Sequence, residues 1–468
     1  MTIKPFLAAC LALASGSIAA PGNPNVLFII VDDLTTTLAC QKWPGAATPN
    51  LDALAARGVR FDRAYCQFSV CNPARQSFLT GCYPQKTQVF DLSTSFRGAL
   101  PEAVSLPQHF KNAGYRTGMV GKIFHVPDPK TEVDVKAGSY LGLDQGILDE
   151  EKASDATDAS RGTKHGYNRP YTASDRPDEA FTDHQIANEA LKAMAELKGD
   201  PFFLAVGFIR PHTPWVAPQW AFDAIDRDAI VLPPFYRGEG EDVSNLSRAA
   251  LRPNNNAFRY EPATREHALD AQHAYLAAVH FVDHQIGRLM AELDRLGLRE
   301  NTVIALTGDH GYHLGEHGLW AKQTLFEGGN HVPLLFAGPT FQPGISRALV
   351  EQVDIYPTLC ELAELPIPDQ VQGVSLRPWL EEPSKKSRIA AFSTMTAPLG
   401  PGKQVLGHSA RNGRNRYIEW DGGKSGVMLF DLIDDPDELH NLAGKPEHRA
   451  MERRLKRLLD EHLLRAEE

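Results

Sequence analysis

Asn25-Val26-Leu27-Phe28-Ile29-Ile30-Val31 is a continuous apolar run rich in β-branched residues, and it ends in the carboxylate pair Asp32-Asp33. Such a run is typical of a strand that is buried on both faces, as in a parallel sheet. Further predicted strands cover residues 117–120, 202–209, 302–307 and 332–337, and helical patterns cover 106–113, 183–197, 265–296 and 353–363. This alternation predicts an α/β fold with a large, mostly parallel central sheet flanked by helices.

Ligating side chains follow several of the predicted strands. Asp32 and Asp33 follow the first strand, and Asp309 and His310 follow the strand at 302–307. Open α/β sheets bind ligands at the carboxyl ends of their strands, so these side chains are expected to converge. The hard carboxylate oxygens suit Ca²⁺ or Mg²⁺, while the softer donor His310 keeps zinc open. Taken alone, the Asp32-Asp33 pair is equally compatible with a turn or a helix cap.

Four cationic or imidazole side chains extend the same pattern. Lys122 and His125 follow the strand at 117–120, His212 follows the strand at 202–209, and Lys322 lies beyond Asp309. A desolvated tetrahedral oxyanion such as sulfate or phosphate needs several such donors. Each residue singly is better explained as a surface lysine or a packed histidine. Only their expected convergence predicts an anion site.

The length of the chain, 468 residues, predicts one large domain and a smaller one. We place the large domain at 20–380 and a C-terminal subdomain at 381–468, where strands at 417–420 and 427–432 predict a short antiparallel sheet and 446–464 a closing helix. The formal net charge of −10 argues against nonspecific nucleic-acid binding. The irregular segments 128–180 and 233–262 either shape a substrate mouth or are solvated insertions.

The N-terminal residues 1–19 have the pattern of a secretory signal peptide. Lys4 precedes an apolar stretch at 6–14, and the small residues Ser17 and Ala19 precede the predicted cleavage site. This stretch is too short to span a membrane, and no other stretch is apolar enough to do so. The mature chain is therefore expected to be secreted or periplasmic.

The segment Cys71-Asn72-Pro73-Ala74-Arg75-Gln76-Ser77-Phe78-Leu79-Thr80-Gly81 predicts a helix that begins at the thiol, because proline fits the first helical turn. The helix N-terminus and Arg75 place positive charge beside Cys71, which indicates an activated or modifiable cysteine in an anion site. The alternative is a small buried thiol beside an ordinary arginine. Five cysteines follow residue 19, and this odd number leaves at least one unpaired or modified. A disulfide among Cys40, Cys66 and Cys82 stays open.

With its Leu-Thr-Gly end, the Cys71 segment resembles the signature of the type I, formylglycine-dependent sulfatase family. The likeness extends from Asn25 to about Asn441 through Thr48-Pro49-Asn50-Leu51-Asp52, Asp309-His310-Gly311 and Leu429-Phe430-Asp431-Leu432. The resemblance implies an alkaline-phosphatase-like fold and a sulfated oligosaccharide as substrate. It also implies a separate maturation enzyme that converts Cys71 to formylglycine.

A ligand set for one Ca²⁺ ion follows from the same resemblance. The ion would be held, together with the formylglycine oxygen at Cys71, by Asp32, Asp33, Asp309 and His310. Such an ion acts as a Lewis acid toward the sulfate group.

The resemblance assigns further roles in the reaction. Arg75 would orient the formylglycine hydrate, whose oxygen attacks sulfur, and Lys122 and Lys322 would neutralise sulfate oxygens. His212 is the candidate acid that protonates the leaving sugar oxygen. His125 is the candidate base that eliminates sulfate and restores the aldehyde.

The spacing of two motifs is most similar to the iduronate-2-sulfatase branch, namely Lys122-Ile123-Phe124-His125 and Leu314-Gly315-Glu316-His317-Gly318 with the nearby Lys322. This implies release of the 2-O-sulfate of a uronic acid in a glycosaminoglycan. Another sulfate position and a sulfated algal polysaccharide are alternatives, and Tyr312, where tryptophan is expected, leaves the sugar specificity open. The rivals from other classes are a phosphatase or phosphodiesterase of the alkaline-phosphatase-like superfamily and a catalytically silent glycan-binding protein.

Overall fold

The strands follow the apolar runs of the sequence. The structure, a computed structural model, describes residues 23–138, 144, 146–147, 149–150, 171–234, 246–251, 264–339, 341–400 and 402–468. The predicted signal peptide and large parts of the irregular segments 128–180 and 233–262 lie outside these residues. In chain order the strands are β1 (Asn25–Val31), β2 (Gly58–Tyr65), β3 (Arg116–Gly121), β4 (Val135–Ala137), β5 (Tyr171–Ser174), β6 (Phe202–Phe208), β7 (Trp215–Pro218), β8 (Thr302–Gly308), β9 (His313–Leu314), β10 (Trp320–Ala321), β11 (His331–Ala337), β12 (Gly344–Ser346), β13 (Val350–Glu351), β14 (Ala391–Pro398), β15 (Gln404–Arg411), β16 (Asn415–Trp420) and β17 (Val427–Asp431).

The helices between them confirm the predicted alternation. Within the described residues they are α1 (Pro49–Ala56), α2 (Cys71–Thr80), α3 (Pro84–Thr87), α4 (Leu106–Asn112), α5 (Thr182–Leu197), α6 (Gln219–Asp223), α7 (Arg248–Leu251), α8 (Arg265–Arg295), α9 (Glu327–Asn330), α10 (Ile355–Leu362), α11 (Arg377–Glu381) and α12 (Arg449–Ala466). As predicted, α2 begins at Cys71.

The central sheet has nine strands within the described part of the chain, in the order β12-β2-β11-β8-β1-β6-β3-β4, with β13 pairing to β2. β1 runs parallel to both neighbours, β8 and β6, and β3 continues the parallel part beyond β6. The side chains of β1 alternate between two apolar clusters on opposite faces of the sheet. This two-sided burial explains why the run from Asn25 to Val31 is apolar without interruption.

The sheet is mixed, because the predicted strand at 332–337 lies antiparallel to both β8 and β2. The apolar run identified β11 but carried no information on its direction. β2 was not predicted at all, since charged residues interrupt its apolar pattern. Two of them, Arg60 and Asp62, pair with each other at 2.7 Å between Nε and Oδ1.

The C-terminal residues form the predicted antiparallel sheet, with β14-β15-β16-β17 in sequence order. β16 and β17 were predicted, and β14 and β15 were missed. The sheet packs on the segment that leads into α2, because Phe68 and Val70 share an apolar cluster with Met395, Ile418 and Phe430. The boundary between residues 380 and 381 stays a prediction.

Cys40, Cys66, Cys71, Cys82 and Cys360 are all free thiols, so the structure shows no disulfide among the described residues. The disulfide among Cys40, Cys66 and Cys82 that the sequence left open is therefore not formed. Among the helices of the described chain, none has the length and apolar character needed to cross a membrane.

A buried ionic network ties the C-terminal sheet to the central domain, and its loss is predicted to destabilise the protein. The fully buried Arg416 binds Glu327, and its Nε lies 2.8 Å from Glu438 Oε1. Arg416→Met would remove the cation that pairs with both carboxylates. We expect the free energy of unfolding in urea to fall by about 3–5 kcal/mol.

Arg414 provides the matched control for this prediction. It lies two residues away and pairs with Asp431 and Asp434 at the solvent-exposed surface. Solvent screens such pairs, so Arg414→Met is expected to leave the urea midpoint almost unchanged. Equal, small effects of both substitutions would contradict the role given to Arg416.

Candidate active site

The parallel strands β1 and β8 bring three carboxylates to one edge of the sheet. The Asp309 N–H donates to the Val31 carbonyl at 3.2 Å, and the Asp33 N–H donates to Asp309 Oδ1 at 3.0 Å. Asp33 has a left-handed backbone with φ of 63°. The hydroxyl of the buried Tyr275 donates to the Asp33 carbonyl at 2.7 Å. Residues other than glycine adopt this conformation uncommonly, so it needs support from the surrounding structure. The hydrogen bond from Tyr275 supplies part of that support.

Cys71 lies at the N-terminus of α2 and faces this edge, with only 2% of its surface exposed. Its Sγ is 3.0 Å from Lys322 Nζ, 3.3 Å from His310 Nε2 and 3.9 Å from Asp33 Oδ1. The predicted convergence of the thiol with a lysine, a histidine and a carboxylate is therefore what the structure shows.

Arg75 is fully buried one turn into α2, and all of its nitrogens bind protein acceptors. Its Nε lies 2.9 Å from Asp309 Oδ2, and its Nη2 lies 3.3 Å from Asp32 Oδ1. Its Nη1 donates to the carbonyls of Lys122 and Ile123. Arg75 thus holds the ends of three strands together, namely β1, β3 and β8. Its contact with a formylglycine hydrate stays a prediction.

Two lysines neutralise the carboxylates. Lys122 binds Asp32 and Lys322 binds Asp33. Although burial alone raises the pKa of Asp32, the charges of Lys122, His212 and Arg75 bring it well below the usual range. Burial likewise raises the pKa of Asp33, but the charges of Lys322, His212 and His310 together outweigh it, so that the pKa is lowered. Both carboxylates are therefore ionised at neutral pH.

Four ligand atoms, from Asp32, Asp33, Cys71 and His310, lie within 4.8 Å of one another. His310 binds the Gly311 carbonyl through Nδ1 at 2.8 Å, so Nε2 is the nitrogen that faces the cluster. Asp309 borders the group, with Oδ1 3.4 Å from His310 Nε2. Buried carboxylate oxygens with one imidazole fit a divalent cation.

His125 and His212 are half-buried, and both act electrostatically on the same cluster. The charge of His212 lowers the pKa of Asp32 and of Asp33. Burial lowers the pKa of His125, and the nearby charge of Lys122 lowers it further. His212 binds the Thr213 carbonyl through Nδ1 at 2.7 Å. The structure therefore places every predicted site residue around one cluster.

The structure also shows supporting residues that the sequence did not reveal. The residues on either side of Lys322 both have left-handed backbones, Ala321 with φ of 105° and Gln323 with φ of 77°. The Gln323 N–H donates to the carbonyl of Ser69 at 3.0 Å and to its hydroxyl at 3.1 Å. This ties the turn that carries Lys322 to the segment before Cys71. No sequence signal marks Ser69, because its partner lies more than 250 positions away.

Tyr312, the residue that departs from the expected tryptophan, packs behind the carboxylates. It is 2% exposed, and its ring stacks on Tyr275 with 5.5 Å between the ring centres. Tyr312 thus packs against Tyr275, the residue whose hydroxyl binds the Asp33 carbonyl.

The sequence is similar to that of known proteins along most of its length. The sulfatase family profile matches residues 24–365, and the profile of the N-sulphoglucosamine sulphohydrolase C-terminal region matches 315–465. A sulfatase of Formosa agariphila is 33% identical, covering 93% of this chain and 86% of the relative. Iduronate 2-sulfatase of Mus musculus is 30% identical and covers 94% of each chain.

Among solved structures, the phosphonate monoester hydrolase of Silicibacter pomeroyi aligns with a TM-score of 0.77 at 26% identity, covering 95% of this chain and 96% of the other. The predicted alkaline-phosphatase-like fold is thus confirmed. The family profile spans most of the chain, and two relatives reach 30% identity or more over nearly all of it. This chain belongs to the sulfatase family.

Proposed function

We propose that this enzyme hydrolyses sulfate esters of a carbohydrate, with the 2-O-sulfate of a uronic acid in a glycosaminoglycan or similar polysaccharide as its substrate. The observation that carries the proposal is the position of the Cys71 thiol, in contact with Lys322 and His310 inside a buried cluster of carboxylates and cations. The 2-O-uronate specificity rests on the likeness to mouse iduronate 2-sulfatase and on the Lys122-Ile123-Phe124-His125 spacing.

Cys71 is the thiol that we assign to the reaction. Burial raises the pKa of each of the other described cysteines, to about 11 for Cys40 and Cys82 and about 12 for Cys66 and Cys360. These thiols stay protonated and inert. Formylglycine formed from Cys71 by a maturation enzyme would supply a hydrated aldehyde oxygen as the nucleophile.

We assign one Ca²⁺ ion to Asp32, Asp33, Asp309 and His310, next to position 71. When bound, the ion supplies Lewis-acid stabilisation of the negative charge on the sulfate group. Within the described cluster, the three carboxylates are matched by three cations, Arg75, Lys122 and Lys322. A divalent cation therefore leaves these groups with a net positive charge, which favours binding of an anionic ester group.

The chain's own cations would bind and orient the ester. Lys322 Nζ lies 3.0 Å from Sγ of Cys71, so it can neutralise a sulfate oxygen next to the nucleophile. Lys122 does the same from the Asp32 side. Burial lowers the pKa of Lys322, but the charges of Asp33, Asp32 and Asp309 contribute to raising it well above its usual value, so this lysine keeps its proton.

The two histidines would move the protons. His212 holds a proton on Nδ1 against the Thr213 carbonyl, which leaves Nε2 to deliver a proton to the leaving sugar oxygen. As the alkoxide oxygen of the formylglycine hydrate forms its bond to sulfur, the S–O bond to the sugar breaks and its electron pair goes to the sugar oxygen. His212 gives its proton to that oxygen and ends neutral. His125, whose pKa is lowered, is neutral at neutral pH and can take the proton of the remaining hydroxyl at position 71. The C–O bond to sulfate then breaks, so that sulfate leaves and the aldehyde is restored. We also propose that the mature protein is secreted or exported to the periplasm, because residues 1–19 have the pattern of a secretory signal peptide.

A panel of defined oligosaccharides tests the proposed specificity. Its members differ only in sulfate position: 2-O on a terminal uronate, 6-O or N on glucosamine, and 4-O on galactosamine. We expect matured protein to release sulfate only from the 2-O uronate, measured by ion chromatography. Release only from another position would keep the sulfatase chemistry and remove the specificity.

A second candidate function is the hydrolysis of phosphonate or phosphate esters. It is favoured by the structural likeness to a phosphonate monoester hydrolase at a TM-score of 0.77. Both ester groups are tetrahedral anions that need the same cationic donors.

A further inference from the structure

The candidate acid His212 lies on a short loop after β6 that two buried carboxylates hold in place. Asp183, in the first turn of α5, accepts the Ile209 N–H at 2.7 Å and the Arg210 N–H at 2.9 Å. Asp144 accepts the Thr182 N–H at 3.0 Å, at the start of the same helix. The backbone on the N-terminal side of His212 is thereby fixed to α5.

The Arg210 side chain holds the other side of the loop. Its Nη1 donates to the carbonyls of His212 and Pro214, and its Nε lies 2.9 Å from Asp144 Oδ2. The residue is only 4% exposed. The chain from His212 to Pro214 is therefore wrapped around a buried guanidinium, and the carbonyl of Thr213, which binds His212 Nδ1, lies within that turn.

Proton delivery requires that His212 Nε2 points at the leaving oxygen. A histidine on an unsupported half-buried loop would sample several ring orientations, whereas general acid catalysis depends on reach and alignment. A guanidinium can bind two carbonyls and a carboxylate at once because its donors form a rigid fork. Lysine has no such fork.

We propose that Arg210 is a positioning residue, held by Asp144 and by Asp183 through the backbone, that orients His212 for proton delivery to the leaving oxygen. This inference rests on the proposed function and extends it to a residue that does not touch the substrate.

The role of Arg210 is tested by comparing kcat/KM for two esters whose leaving groups differ in their need for a proton. A sugar alkoxide is a poor leaving group and needs the proton, whereas 4-nitrophenolate leaves without it. In the matured enzyme, Arg210→Met is expected to lower kcat/KM about 10²-fold on the sugar sulfate that the wild type prefers, and only a few-fold on 4-nitrophenyl sulfate. Arg210→Lys should fall between wild type and Arg210→Met.

Two further variants separate positioning from general damage. Arg97 also donates to two carbonyls, those of Pro101 and Ala103, and pairs with an aspartate, Asp128, in another loop. Arg97→Met should leave the ratio of the two kcat/KM values unchanged. In a His212→Ala background, Arg210→Met should change that ratio no further, because it acts through His212.

Equal losses on both esters, no loss on the sugar ester, or a further change of the ratio in the His212→Ala background would each overturn the role of Arg210. A matured wild type that hydrolyses neither sulfate ester would instead contradict the proposed function, and the inference would fall with it.

Discussion

Replacing Cys71 by alanine will lower sulfate release by at least about 10⁴-fold and leave the fold intact. The nucleophile is lost entirely, and losses of this size are typical when a covalent catalyst is removed. The substitution removes only the end of one short side chain at a helix start that Arg75 and the backbone still hold, so the melting temperature should change by only a few degrees. Sulfate release by ion chromatography and thermal unfolding measure the two effects.

The control is Cys40→Ala, since Cys40 is half-buried and lies outside the site. We expect wild-type turnover from this variant, with formylglycine at position 71 verified by peptide mass. Turnover near the wild-type rate in the Cys71→Ala variant would contradict the account of the nucleophile.

Exhaustive chelation will lower the activity by at least about 10²-fold, and Ca²⁺ will restore the activity better than Mg²⁺ or Zn²⁺. The reason is that the carboxylates Asp32, Asp33 and Asp309 offer hard oxygens, with one imidazole, around a position next to Cys71. Loss of a Lewis acid that supplies several kcal/mol of charge stabilisation corresponds to rate losses of this order or more.

Metal analysis gives this prediction an independent readout. Wild-type protein should carry about one Ca²⁺ per chain, and an Asp33→Asn variant should carry much less, because a neutral amide is a weaker ligand than a carboxylate. Full activity in protein from which no residual metal can be detected would show that the carboxylate cluster does not serve as a metal site.

The sequence predicted the parts of the fold that depend on burial. β1, β6 and β8 were predicted because a strand covered on both faces is a nearly continuous apolar run, and β3 was predicted from the shorter segment 117–120. β14 and β15 were missed because polar residues such as Ser393, Thr394 and His408 interrupt their apolar residues, although most of β14 is buried. The direction of β11 was not predicted, since strand direction depends on connections and not on composition.

The site was predictable to the extent that strand ends and helix starts place residues. Asp32, Asp33 and Asp309 follow adjacent parallel strands, and Cys71 opens a helix, so their convergence follows from topology. The residues that hold these side chains in position could not be predicted from the sequence. Tyr275 reaches Asp33 from α8, and Asp183 reaches the His212 loop from α5, through contacts that only the folded chain creates.

Two esters with the same leaving group, 4-nitrophenyl sulfate and 4-nitrophenyl phenylphosphonate, distinguish a sulfatase from a phosphonate ester hydrolase. The protein must be matured, with conversion of Cys71 verified by peptide mass, and kcat/KM is measured for each ester. We expect faster hydrolysis of the sulfate ester, with one free sulfate released for each nitrophenol. Preference for the phosphonate ester, with little or no sulfate released, would contradict the account.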